Sequence, residues 1–193
     1  MKKPSAHFEK ILDVLFALDG INYAIQLSNG PNKFETYEYL KDTDWYEKDL
    51  SPYFEDQFID FGGESDGSLY CLWYYPGLVG EPPVVYIGGD GNNCTIAPSI
   101  EDLISLMIYR EPYEFNTEPN EIWGEITIEL DDYLEILKED EPETYQEILQ
   151  MKQIASEAFP IRDYETIIKD FEKHPKFNEF VEKLQEKEKE LLG

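Results

Sequence analysis

Residues 69–75, Leu69-Tyr70-Cys71-Leu72-Trp73-Tyr74-Tyr75, are apolar or aromatic at every position. A strand sends alternate side chains to opposite faces. Leu69, Cys71, Trp73 and Tyr75 therefore point one way, and Tyr70, Leu72 and Tyr74 the other. Neither set belongs in water, so this is a central strand of a sheet that is covered on both sides.

The rest of the chain supplies neighbours and cover. Phe8, Ile11, Leu12 and Leu15 recur at helical spacing and Asp19-Gly20 ends the segment, which predicts a helix over 7–18. Residues 21–27 alternate and stop at Asn29-Gly30, a strand followed by a turn. Phe34, Tyr37 and Leu40 fit either a second strand or a helix start, and residues 42–60 have no clean period. Further on, 84–87 and 94–97 read as short strands joined by a tight Gly-rich turn at 88–93, with a loop at 76–83. Ser99 and Asp102 form a capping box, opening a helix with Ile100, Leu103, Ile104, Met107 and Ile108 as its buried stripe. Residues 122–130 alternate, with Ile122, Ile126, Ile128 and Leu130 on one face, which predicts a half-buried strand. Three helices follow, one from Pro142, one capped by Asp163, one after Pro175. The strands are too closely spaced for parallel crossovers. The expected class is α+β, with a mainly antiparallel central sheet, flanking helices and a C-terminal helical extension. The expected division is an α+β domain over 1–110, with an acidic strand and helical extension over 111–193 packed on it.

Charge narrows the function. With 42 acidic and 16 basic residues the formal net charge is −26. Such a chain repels phosphate backbones and anionic membrane surfaces. Its 14 Tyr, 11 Phe and 3 Trp set it apart from disordered acidic chains, which are poor in aromatics. The excess is uneven. Residues 35–66 hold eleven acids and two bases, net −9, and residues 111–150 hold fourteen acids and one base, net −13. Those two segments carry 22 of the 26 excess negative charges. The last 43 residues instead alternate signs, as on a salt-bridged solvent face. No apolar run approaches the roughly 18 residues of a membrane span, and the N-terminus lacks a signal peptide's pattern, so a cytoplasmic location is expected. Cys71 and Cys94 fit that compartment as reduced, buried core thiols.

The residues offer little for catalysis. Gly88-Gly89-Asp90-Gly91 lacks a following Lys and a helix start, and places Asp where a phosphate would sit, so a hairpin turn explains it better. A calcium loop from Asp90 would reach Glu101 at its twelfth position, but its sixth is not Gly and a strand intervenes. The two histidines, His7 and His174, belong to no nucleophile motif, and among 42 acids a close carboxylate pair identifies nothing. The expectation is a protein that is not an enzyme and uses no cofactor or metal.

What remains is an acidic, aromatic-edged surface for a protein partner. Asp56, Asp60, Glu64 and Asp66 stand near Phe58, Phe61, Tyr70 and Trp73 in the chain. Phe61 and Trp73 read as core, whereas Tyr74 and Tyr75 lie near the strand end as candidate anchors within a charged rim. Glu121 and Glu125 represent the second acidic segment.

The run Asp60-Phe61-Gly62-Gly63-Glu64-Ser65-Asp66-Gly67-Ser68-Leu69-Tyr70-Cys71-Leu72-Trp73 resembles the centre of the SUKH superfamily, bacterial proteins similar to the fungal cell-wall-assembly regulators. Residues 83–91 look like that family's second strand and turn, and 96–107 like its closing helix, so the likeness spans about residues 58–109. Of the family's front end only Asn29-Gly30 is present, and residues 111–193 have no counterpart. The resemblance implies a binding module, most often an immunity protein that neutralises a toxin such as a nuclease, otherwise a regulatory adaptor. The partner so implied is a basic protein, and no nucleic acid or membrane is bound directly.

Overall fold

The computed structural model describes residues 6–18, 50, 53, 57–63, 67–109, 118–124 and 130–193. The expected strand at 21–27 and the ambiguous stretch at 34–40 lie outside these residues.

Four strands form an antiparallel sheet in the order of the chain: β1 (Phe58–Gly63), β2 (Leu69–Trp73), β3 (Val84–Ile87) and β4 (Asn93–Ala97). Each pairs with the next, so Cys71 stands opposite both Asp60 and Val85. The β3–β4 connection is held by Gly88 N donating to Asn92 O (2.8 Å) and by Asp90, whose carboxylate accepts from the Asn92 backbone N–H (3.1 Å). Gly91 sits there at φ 95°, which an L side chain rarely adopts. A hairpin turn accounts for this glycine run.

Both faces of the sheet are covered, as the pattern of residues 69–75 required. Ile59, Phe61, Tyr70, Leu72, Val84 and Tyr86 join a large core with the helices α1 (Ala6–Leu18), α2 (Ile100–Tyr109), α3 (Pro119–Trp123), α4 (Leu130–Asp140), α5 (Pro142–Ser156) and α6 (Tyr164–Asp170). Phe58, Leu69, Cys71, Trp73, Val85 and Ile87 pack instead against α7 (Phe177–Leu192), through Phe177 and Val181. Cys71 and Cys94 thus lie in different clusters on the two sides, buried and free. Burial pushes both thiols up, Cys94 to about 12 and Cys71 well above its ordinary value, so both stay protonated.

Helices from both sides of residue 110 share the large core. α1 and α2 pack on α5, and α2 also packs on α6. One ionic cluster reinforces that junction. Arg162 donates from Nη1 to both oxygens of buried Asp102 (2.8 and 3.0 Å) and from Nη2 to Asp170 (2.6 Å). Burial raises the Asp102 carboxyl above the ordinary range even though Arg162 and the Ser99 hydroxyl pull it down. Removing the cation would leave that carboxylate stranded in the interior.

Two elements differ from expectation. The predicted strand over 122–130 is helical at both described ends: Ile122 and Trp123 close α3, and Leu130 opens α4. Pro119 starts α3 and Gly124, at φ 68°, ends it. Leu130, Leu134 and Leu137 then form a buried stripe spaced four and three residues apart. Residues 125–129, between these ends, lie outside the described residues. The second difference is β1, which sequence periodicity did not show. Its pairing with β2 shifts register between Asp60 and Gly62, and such a bulge breaks the two-residue period.

Candidate functional site: an acidic hairpin and a cavity beside the last helix

The candidate partner residues do not gather into one patch. Asp56, Glu64, Asp66 and Glu125 lie outside the described residues. Asp60 is 2% exposed and belongs to the interior of β1, where its carboxylate accepts from Gly62 N–H at 2.9 Å. A strand residue set between Ile59 and Phe61 cannot offer its charge to a partner, so its place on an acidic surface is corrected. Tyr74 packs against the large core and Tyr75 against the α7 side, so the sheet separates them. Burial raises both phenols above their ordinary value. Tyr75 meets His174 (OH···Nδ1 3.2 Å) and its ring lies 5.1 Å from that of Trp73, so it is already engaged within the chain. Glu121 is exposed on α3.

The strongest concentration of exposed charge lies on the α4–α5 hairpin, which the expected strand had hidden. Residues 130–147 carry Asp131, Asp132, Glu135, Glu139, Asp140, Glu141, Glu143 and Glu147 against Lys138 alone, so 1 − 8 gives −7. All eight are exposed, because Leu130, Leu134, Leu137 and Ile148 take the inward positions. Asp131 pairs with Lys152 at 3.2 Å, and Glu141 accepts from the Thr144 hydroxyl at 3.1 Å. Asp132, Glu135, Glu139, Asp140, Glu143 and Glu147 make no ion pair among the described residues. Ile136 stands among them 47% exposed. The hairpin is an acidic face with an apolar centre, the composition that draws a basic surface and then grips it.

A second feature is a cavity of about 440 Å³ beside the start of α7. Its lining comes from α3 (Glu118 at its N-cap and Pro119), the 3₁₀ turn Phe171–Lys173, the loop to Pro175, the first turn of α7 and Thr95 of β4. Lys176 reaches Glu118 at 2.6 Å, and each side chain remains about half exposed (55% and 54%). Glu172 is exposed, Phe171 is half-buried, and the Thr95 hydroxyl is buried with no hydrogen-bond partner among the described residues. Burial lowers His174 below the ordinary histidine value, more than nearby Asp170 raises it, and so holds the ring neutral at pH 7.

The hairpin carboxylates are exposed, on the helix positions that Leu130, Leu134, Leu137 and Ile148 leave to solvent. Among the described residues no three His, Cys, Asp or Glu side chains are grouped to hold a metal ion. No family model, curated protein or solved structure matches the chain.

Proposed function

We propose that this protein is a non-enzymatic binding module of SUKH type, an immunity protein that neutralises a basic toxin by covering its cationic working surface. The carrying observation is the α4–α5 hairpin, where six exposed carboxylates have no counter-ion among the described residues and surround exposed Ile136. A nuclease holds a polyanion and so needs a basic site, and concentrated carboxylates on a rigid hairpin can occupy it. The run that carries the family likeness, about residues 58–109, forms β1 to β4 and α2, the scaffold to which the hairpin is fastened through α5. Among the described residues no helix is long and apolar enough to cross a membrane. A toxin made in the same cell places both proteins in the cytoplasm.

The test is co-expression with the product of the adjacent gene. The neighbour arrests growth alone and is harmless beside this chain. A variant with Asp132→Asn, Glu135→Gln, Glu139→Gln, Asp140→Asn, Glu143→Gln and Glu147→Gln loses protection while remaining folded. A neighbour that is neither toxic nor bound removes the immunity reading. A non-toxic neighbour that binds the hairpin favours a regulatory adaptor.

A further inference from the structure

The cavity beside α7 combines aromatic and carboxylate walls, a pairing that recognises organic cations. Phe171 and Phe177 line it together with Glu118 and Glu172. Glu118 already holds a cation, because the Lys176 ammonium rests 2.6 Å from its Oε1. That contact is half exposed on both sides, so an incoming group can reach it. Two acids against one base leave the lining at −1, within a chain at −26, which disfavours an anionic ligand.

The geometry points to this cavity as the socket for an arginine side chain presented by a basic protein partner. The guanidinium replaces the Lys176 ammonium on Glu118. It can do so as a planar fork donating two N–H groups to one carboxylate, which an ammonium cannot match. Its flat face lies against the Phe171 ring, where the ring's negative face favours a cation. Glu172 supplies further negative charge. A volume of about 440 Å³ admits the whole residue with its flanking backbone.

The inference rests on the proposed function only for the source of the arginine, so it is tested without the partner. N-acetyl-arginine methylamide is titrated into the full-length protein at low salt, followed by backbone amide shifts of residues 171–178. The expected result is saturable shifts, absent with the neutral citrulline analogue and at least about tenfold weaker with the lysine analogue. The double variant Glu118→Gln, Glu172→Gln, at two exposed positions where folding is not at stake, weakens arginine binding by about tenfold or more. Equal binding of citrulline, or no saturation with arginine, overturns the socket. Equal binding of lysine overturns its assignment to arginine. If the double variant binds the intact toxin as tightly as wild type while the hairpin variant does not, the socket fails and the proposed function stands.

Discussion

The α4–α5 hairpin and the α6–α7 end are both helical, both acid-rich and both folded against the same body, yet they handle charge in opposite ways. At the α6–α7 end several carboxylates meet cations: Asp170 meets Arg162, which also holds Asp102 of α2, and meets Lys173 (2.6 Å), Glu165 meets Lys169 (3.4 Å), and Glu190 meets Lys187 (2.7 Å). On the hairpin one acid of eight has a basic partner among the described residues. Repulsion of that density opposes folding, and the inward leucines of α4 offset it without neutralising it. Charge that stabilises is placed next to its opposite. Charge left unmatched on the hairpin needs a different account, and the proposed one is a partner.

The largest test of this contrast is Arg162→Met. It strands the buried Asp102 carboxylate, and the expected loss in denaturant unfolding is about 3–5 kcal/mol. Adding Asp102→Leu recovers most of that loss, because the penalty lies in the orphaned charge rather than in the missing pair. A small effect of Arg162→Met alone would erase the distinction between the two regions.

Acidification probes the same end with a definite sign. His174 is held below its ordinary value by burial, so its contribution is present above about pH 6.5 and is lost as pH falls through the lower folded value. Asp163 and Asp170 are also lowered, by the Thr166 amide and by Lys173 and Arg162 respectively, so their contributions fail at still lower pH. Asp102 runs the other way: its raised carboxyl favours the fold when protonated, and that contribution is lost as pH rises. Between pH 7 and 5 the histidine dominates. Hydrogen exchange there should loosen α6 and α7 before β2 and β3, and His174→Gln should flatten the slope.

Smaller effects follow on the surface. Asp163→Ala removes the cap that accepts from Thr166 N–H at 2.8 Å, for about 1 kcal/mol. The six-fold neutralised hairpin should unfold within about 1 kcal/mol of wild type, since lost helix-dipole contacts at Asp132 and Glu143 are offset by relieved repulsion. Lys169→Gln, breaking an exposed pair, should change stability by less than about 0.5 kcal/mol.

The sequence was informative where one residue type has one use. The two-sided strand at 69–75 assigned each side chain to its correct face, and the caps were equally legible: Asp102 N–H donates to Ser99 Oγ (3.1 Å), as the capping box implied. Pattern failed where two periods overlap. Ile122 and Leu130 share the strand's alternation, yet Ile122 lies in α3 and Leu130 opens α4. Asp60 read as surface because an acid usually is, and its burial depends on the bulge that gives it the Gly62 amide. The hairpin's acidity was visible in the net charge of 111–150, but its form as a paired helical face was not, since a strand was assigned where α4 begins. The cavity left no local signal, because Glu118, Phe171 and Lys176 are brought together only by packing.

The most direct measurement is the dissociation constant for the proposed toxin partner across a salt series, for wild type and for the six-fold neutralised hairpin. A hairpin that serves a cationic partner predicts wild-type binding that weakens steeply with salt, and a variant about a hundredfold weaker at low salt with a much shallower dependence. Equal affinity and equal salt dependence in the two proteins would contradict it.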